Sequence, residues 1–156
     1  MNRILMTSVL ALLATAMPGS PAAAQDRPDS KSALRFDHYR EFDTVVSESK
    51  ALAAAHPNLL TYIELGKSVE GRPMFALVLN NPKTGPDTDK PAMYIDGNIH
   101  GNEINASETV LYTAWYLVEN YGKLEPITRL VDRSAFYFVP CANPDGRQNW
   151  FDLQSS

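Results

Sequence analysis

Hydrophobic residues change their spacing along this chain, and each change predicts a different element of secondary structure. The first regular pattern is helical, with apolar or small residues three and four positions apart at Phe42, Val45, Val46, Ser49, Leu52 and Ala53. Asp37 precedes this pattern as a candidate N-cap, and the segment that begins at His56 and Pro57 ends it. We therefore predict a helix between residues 37 and 56.

The spacing then changes to that of strands. Residues 60–65 and 74–79 are extended apolar runs, and residues 66–73 between them are rich in turn-forming types, so the two runs predict a β-hairpin. Residues 92–96 predict a third strand. The β-branched and aromatic run at residues 134–139 is typical of a strand that is covered on both faces.

Helical spacing returns between the third and fourth predicted strands. Residues 107–121 carry one apolar side, which predicts a second helix that ends at Gly122. Residues 143–146, with the sequence Asn-Pro-Asp-Gly, predict a turn after the fourth strand. Strands and helices in this order predict an α/β fold, and the length allows one domain, at residues 37–156.

The beginning of the chain differs in composition from the rest. Arg3 supplies one positive charge, residues 4–17 are almost wholly apolar, and small residues precede Gln25. We expect residues 1–24 to be a secretory signal peptide, because the apolar run is shorter than the roughly 20 residues that span a bilayer. Residues 25–36 are expected to be a flexible mature N-terminus. The protein is thus expected to be secreted or periplasmic, without a stable membrane anchor.

Composition and charge narrow the classes of partner and chemistry. The formal net charge is −4 and no basic run is present, so nothing favours binding to nucleic acid. The single cysteine, Cys141, lies in an apolar run and allows no intramolecular disulfide. We interpret Cys141 as a small buried hydrophobic residue rather than a nucleophile, because no histidine follows it to activate a thiolate.

The candidate chemistry lies between Gly97 and Glu103. His100 and Glu103 are three residues apart, after a predicted strand and before a predicted helix, so one turn can direct both side chains at one point. Imidazole and carboxylate groups are zinc ligands, and loops at the carboxyl ends of strands bind ligands in open α/β sheets. Gly97 and Gly101 are predicted to let the backbone come close to the ion or substrate.

A simpler interpretation of these residues remains open. Glu103 can complement the exposed amides at the start of the following helix, and His100 can be a loop residue bonded to the backbone. A histidine and a glutamate at this spacing also occur often by chance. His38 and His56 flank the first predicted helix without a second donor at ligand spacing, and we interpret them as surface or capping residues.

Three segments together resemble the zinc carboxypeptidase family of the carboxypeptidase A type. They are residues 66–73, residues 97–103 and residues 139–146, which occur in the order in which that family has them. The similarity extends over most of the chain, roughly from Tyr39 to Trp150.

The resemblance implies a phosphorylase/hydrolase-like fold, in which a mixed sheet lies between helices. It also implies one catalytic Zn²⁺ ion, with His100 and Glu103 as its first two ligands, and peptide or protein C-termini as substrates. In that family, water on the zinc attacks the C-terminal peptide bond with help from a glutamate base. Residues 143–146 match a structural turn of the family rather than a chemical group.

The chain also departs from the family pattern. The family has a third zinc ligand, a later histidine, but the histidines here are His38, His56 and His100, and none follows His100. No Asn-Arg pair that could hold a substrate carboxylate follows Gly146. The glutamate base is likewise expected beyond this chain. Arg147 lies near the place where an arginine could polarise the substrate carbonyl, although the family's arginine lies farther along.

We interpret the chain as the N-terminal part of a secreted zinc metallocarboxypeptidase, a truncated fragment in which the sheet is incomplete and one strand is left as an open edge. Two alternatives remain. One is an amide deacylase of the succinylglutamate desuccinylase or aspartoacylase type, since those relatives also carry His-Gly-Asn-Glu. The other is a non-catalytic module that binds peptides or cell wall and has kept the fold without the chemistry.

Overall fold

The structure is a computed structural model that describes residues 30–154, so the predicted signal peptide lies outside the described residues. Its elements in chain order are α1 (Phe42–Ala55), β1 (Leu60–Lys67), β2 (Pro73–Leu79), β3 (Ala92–Asp96), α2 (Ile104–Asn120), α3 (Glu125–Arg133), β4 (Ala135–Val139) and α4 (Pro144–Gln154). Two short 3-10 turns lie between β2 and β3. Across residues 30–154, no helix combines the length and apolar character needed to cross a membrane.

The four strands form one mixed sheet in the order β1-β2-β4-β3. β1 and β2 are antiparallel, which confirms the predicted hairpin, and β4 is antiparallel to β2 but parallel to β3. The α/β prediction with a mixed sheet is therefore confirmed. Within residues 30–154, β3 lies at the edge of this sheet and pairs only with β4. Tyr94 in this edge strand is 64% exposed.

The hydrophobic core lies between the sheet and the apolar sides of α1 and α2. Alternate residues of β2 point into this core, as do the two phenylalanines of β4 that pair with them. Burial of each such large side chain stabilises the fold by about 1.5–3 kcal/mol. The buried side chains that build this layer include Phe42, Leu52, Phe75, Leu77, Leu79, Leu111, Phe136 and Phe138.

The helices of the structure differ from the predicted ones at three places. Asp37 does not cap α1, which begins at Phe42, because its carboxylate instead pairs with Arg35 at 2.9 Å and His38 at 2.8 Å. α2 begins at Ile104, earlier than predicted. α3 follows α2 directly and was not predicted as a separate helix, since few of its residues are apolar.

The predicted turn at residues 143–146 is instead the start of α4. Pro144 occupies the first helical position, where its fixed φ suits a helix and its missing N–H removes no bond. The Asn143 side-chain Oδ1 accepts a hydrogen bond from the Gly146 amide at 2.9 Å, so Asn143 acts as the cap of this helix.

Residues 30–32, within the segment expected to be flexible, are bound to the end of α2. The buried carboxylate of Glu119 accepts hydrogen bonds from the Lys31 amide at 3.0 Å and from the Ser30 hydroxyl at 2.9 Å. His56 is the C-cap residue of α1, which confirms the capping role, but it is buried rather than at the surface, and its Nε2 lies 3.1 Å from the same carboxylate. Glu119 thus joins the segment before α1, the end of α1 and the end of α2.

This arrangement predicts a specific loss of stability in acid. Burial alone would raise the pKa of Glu119, but the hydrogen bonds from the Lys31 amide, His56 and Ser30 outweigh it and lower the pKa to about 2. A carboxylate with a lowered pKa stabilises the fold fully above its ordinary value of 4.5, and that contribution is lost as the pH falls toward 2. Glu119→Gln should cost about 1–3 kcal/mol at neutral pH and lose less stability across that acid range.

Urea unfolding at several pH values measures this effect. Glu125→Gln is a suitable control, because Glu125 is an exposed partner of Arg129 and should contribute less than about 1 kcal/mol. Parallel pH profiles for wild type and Glu119→Gln would contradict the assignment.

Candidate metal site

His100 and Glu103 lie in the loop that joins β3 to α2, at the carboxyl end of the parallel strands. The His100 Nδ1 atom is 3.1 Å from Glu103 Oε2, and the two side chains are 74% and 55% exposed. Glu103 occupies the N-cap position of α2, but its side chain makes no capping hydrogen bond. The pair is therefore directed at solvent, and the capping interpretation does not account for the orientation of Glu103.

This pair fits two positions of a tetrahedral zinc site. Zinc bonds to imidazole nitrogen and carboxylate oxygen are about 2.0–2.2 Å long, which places adjacent donor atoms roughly 3.4 Å apart. The observed separation of 3.1 Å is close to that value. One ion can therefore contact both atoms after a small movement of exposed side chains.

Residues 30–154 bring no third ligand to this point. No group of three or more His, Cys, Asp or Glu side chains that could hold a metal occurs among the described residues. His38 pairs with Asp37 at the surface, and His56 is bound to Glu119. Within the described residues, His100 and Glu103 are therefore the two candidate donors at this point.

The loop after β3 is held against the segment after β4 by a continuation of their parallel ladder. The Gly97 amide donates to the Val139 carbonyl at 3.1 Å, and the Ala142 amide donates to the Gly97 carbonyl at 2.9 Å. The Asn143 side-chain Nδ2 then donates to the Ile99 carbonyl at 3.0 Å. The loop that carries His100 thus lies beside the start of α4.

Asp145 brings the β1–β2 connection to the same place. Its carboxylate accepts hydrogen bonds from the Ser68 hydroxyl at 2.7 Å, the Arg72 guanidinium at 2.8 Å and the Glu70 amide at 3.1 Å. Burial alone would raise the pKa of Asp145, but the bonds from Ser68 and Arg72 hold this pKa below its ordinary value. The three segments, which are far apart in the sequence, therefore meet at one end of the sheet, beyond the carboxyl ends of β3 and β4.

Gly97 and Gly101 allow close packing against the protein's own backbone, rather than close approach of the loop to an ion. A Cβ on Gly101 would lie 2.3 Å from the carbonyl oxygen of Gly146, and a Cβ on Gly97 would lie 2.7 Å from that of Ala106. Neither Gly97 nor Gly101 has a positive φ. The prediction that these residues admit an ion or substrate is corrected, because the close neighbour in each case is the protein's own backbone.

Arg147 is fully buried and does not face the exposed pair. All three of its guanidinium nitrogens donate hydrogen bonds, to the Arg40 carbonyl, the Ile104 carbonyl, Asn98 Oδ1 and the Glu108 carboxylate. Glu108 also pairs with the buried Arg40, so one carboxylate lies between two cations. This placement does not suit the expected role in polarising a substrate carbonyl, since no donor of Arg147 is left for a substrate.

Cys141 is buried, as predicted, and lies beneath the same loop. Burial raises the pKa of its thiol to about 11, so the thiolate that a nucleophile requires is not formed at neutral pH. Its Sγ lies 3.5 Å from Asn98 Oδ1. Cys141 is a packing residue in this structure.

A comparison with protein-family models decides the family. The model described as zinc carboxypeptidase matches residues 45–152, which is more than half of the chain. This chain belongs to the zinc carboxypeptidase family. The matched range contains all three segments that meet at this end of the sheet, so the family pattern and the geometry identify the same region.

Individual zinc carboxypeptidases support this assignment. Carboxypeptidase A2 of Rattus norvegicus is 34% identical over 113 residues, which cover 72% of this chain and 26% of that protein. The crystal structure of carboxypeptidase A from Helicoverpa armigera superposes with a TM-score of 0.68 at 29% identity, and covers 78% of this chain and 28% of that one. Sequence and fold therefore agree.

The relatives include a protein named as inactive. The inactive metallocarboxypeptidase ECM14 of Ajellomyces capsulatus is 32% identical over 111 residues, which cover 71% of this chain and 19% of that protein. The chain thus spans about a fifth to a quarter of the length of these curated relatives. Membership of the zinc carboxypeptidase family does not by itself establish activity.

The contact between Gly101 and Gly146 predicts a large effect of a single methyl group. Gly101→Ala places a Cβ on the Gly146 backbone, so one of the two segments must move, and overpacking of this kind costs about 1–3 kcal/mol or more. Urea unfolding measures the change.

Gly71→Ala is the matched control. Gly71 has a φ of 84° but nothing within 4 Å of an added Cβ, so its substitution carries only the cost of the left-handed backbone, about 1–2 kcal/mol. Gly101→Ala should also disturb the amide exchange of residues 97–103, and Gly71→Ala should not. Equal protection of that loop in both variants would show that the close backbone contact is not required.

Proposed function

We propose that this chain is the N-terminal part of a secreted zinc metallocarboxypeptidase and supplies two of its zinc ligands, His100 and Glu103. One observation supports this most directly. In the loop that matches the family, an imidazole nitrogen and a carboxylate oxygen lie 3.1 Å apart and face solvent at the carboxyl end of the parallel strands. A bound zinc ion would polarise the scissile carbonyl and lower the pKa of a water molecule.

The described residues would hold and orient the metal rather than complete the reaction. His100 and Glu103 would hold the ion, and Asn143 and Asp145 would keep the neighbouring segments against the loop. We propose that the third ligand, the glutamate base and the groups that bind the substrate carboxylate are supplied by further sequence of the whole protein. The expected substrates are peptides or proteins with a free C-terminus.

A non-catalytic module that binds peptides is the second candidate. It is supported by the 32% identity to a metallocarboxypeptidase named as inactive and by the two-ligand set within residues 30–154. This candidate predicts a folded protein that binds peptide without hydrolysing it. The two candidates differ in whether the complete gene product cleaves a peptide bond.

Zinc binding by the chain itself tests the role of the pair. Removal of either ligand leaves one protein donor, so His100→Ala and Glu103→Ala should each weaken zinc binding at least about tenfold. A competition titration against a chromophoric zinc chelator measures the affinity. His38→Ala is the matched control, since His38 is also an exposed histidine beside a carboxylate, and it should change nothing. Unchanged affinity in both ligand variants would remove His100 and Glu103 from the site.

Hydrolysis separates the peptidase from the binding module. The longest product of the gene should remove the last residue of a peptide with a free C-terminus and leave the same peptide with a C-terminal amide intact. Glu103→Ala should abolish this activity while the protein stays folded. If the free peptide binds without being cleaved, the non-catalytic candidate is correct.

A further inference from the structure

We propose that Asn98 is a positioning residue that holds the His100 loop in its metal-binding conformation, and that the buried Arg147 acts on the loop through Asn98. The inference rests on the proposed function, because it concerns the same pair of ligands. It assigns a role to two buried side chains that make no contact with the exposed donor atoms.

The ligand pair cannot be held by its own side chains. His100 and Glu103 are 74% and 55% exposed, and within the described residues their donor atoms contact only each other, at 3.1 Å. Exposed side chains of this kind sample several rotamers in solution. The relative position of the two donors must therefore be set by the backbone beneath them.

Asn98 binds that backbone directly. Its side-chain Nδ2 donates to the His100 carbonyl at 2.8 Å and to the Gly101 carbonyl at 3.2 Å. The residue is 1% exposed, so water does not compete for these bonds. Asn98 also has a φ of 58°, a left-handed conformation that asparagine adopts more readily than most residues. The side chain thus closes a short turn around the residue that carries the imidazole.

The partners of Asn98 determine which way its amide group points. Carbonyl oxygens can only accept hydrogen bonds, so the atom that faces residues 100 and 101 must be the NH₂ group. Arg147 can only donate, so the atom that faces it must be Oδ1, and the Nη1 to Oδ1 distance is 2.9 Å. The opposite orientation would place donors against donors and acceptors against acceptors.

Arg147 is a rigid support for this amide. Its Nη1 also donates to the Ile104 carbonyl at 3.1 Å, and its Nη2 lies 2.8 Å from Glu108 Oε1. Both acceptors belong to α2, the helix that begins directly after Glu103. The guanidinium therefore fixes Asn98 relative to the helix that follows Glu103. Residues that orient ligands in this way typically affect metal affinity by about 10–100-fold.

Two substitutions of Asn98 isolate its contacts. Asn98→Asp keeps an acceptor for Arg147 but replaces the donor to the two loop carbonyls with a second acceptor. Asn98→Gly removes the whole side chain and tolerates the positive φ. Both variants should bind zinc about tenfold or more weakly than wild type. With Co²⁺ in place of zinc, the visible spectrum of each variant should change, since ligand geometry sets it.

Asn81→Asp is the matched control for a general loss of stability. Asn81 is 6% exposed and lies just after β2, at the opposite end of the sheet from the His100 loop. Its Nδ2 donates to Asp132 Oδ1 at 2.7 Å and to the Tyr121 hydroxyl at 3.0 Å. This variant should lower the melting temperature but leave the zinc affinity unchanged. The comparison therefore separates loss of the loop geometry from loss of folding.

Arg147→Lys and a double variant test whether Arg147 acts through Asn98. Lysine keeps the positive charge beside Glu108 but cannot reach all the acceptors of the guanidinium. Arg147→Lys should weaken zinc binding, and its effect should largely disappear in the Asn98→Gly background. Additive losses of affinity would show that Arg147 acts independently of Asn98 and would overturn that half of the inference.

A measurement without metal keeps the inference separate from the proposed function. Hydrogen exchange of the peptide that covers residues 97–105 should accelerate in Asn98→Gly and remain unchanged in Asn81→Asp. If neither this chain nor the longest product of the gene binds zinc, the proposed function fails. If wild type binds zinc and the Asn98 variants match it in affinity and exchange, the positioning role is wrong. An equal loss of affinity in Asn81→Asp would also overturn it.

Discussion

Burial of the Arg147 guanidinium constrains the arrangement of the whole site. A buried cation that loses its partner destabilises a protein by about 3–5 kcal/mol, so its acceptors must be held in place together. Those acceptors belong to three separate parts of the chain, namely the segment before α1, the loop after β3 and the first turns of α2. The Arg147 guanidinium bonds to all of these acceptors at once. If the His100 loop moved away from α2, the buried guanidinium would therefore lose acceptors and keep unpaired N–H groups.

Secondary structure was predictable where hydrophobic periodicity is strong and local. The edge strand β3 has the predicted bounds, and α1 and α2 lie where helical spacing placed them. α4 was missed because Asn143, Pro144 and Gly146 are typical turn residues, whereas here they form a capped helix start. α3 was missed because it is only nine residues long and few of them are apolar, although it packs against α2.

The candidate site was predictable only in part, for a physical reason. His100 and Glu103 are local in sequence, so their spacing indicates a shared target. Asn98 gave no local signal, because its role depends on Arg147, a partner 49 positions away in the sequence. The position of Arg147 in the sequence, close to the family motif, suggests a contact with substrate. Its burial depends on the tertiary structure, which its position in the sequence does not indicate. The sequence correctly indicates a close contact at Gly101, but the contact is with the backbone of Gly146 rather than with an ion or substrate.

The buried framework and the exposed ligands can change independently, which bears on how similarity should be interpreted in this family. Asn98 and Arg147 are at most 1% exposed, whereas His100 and Glu103 face solvent. Substitution of His100 or Glu103 would alter the proposed metal site at little cost to the fold, since the supporting hydrogen bonds lie beneath these side chains. Identity of 32% to a metallocarboxypeptidase named as inactive is therefore compatible with the proposed metal site. The proposed function rests instead on His100 and Glu103, whose donor atoms lie 3.1 Å apart in this chain.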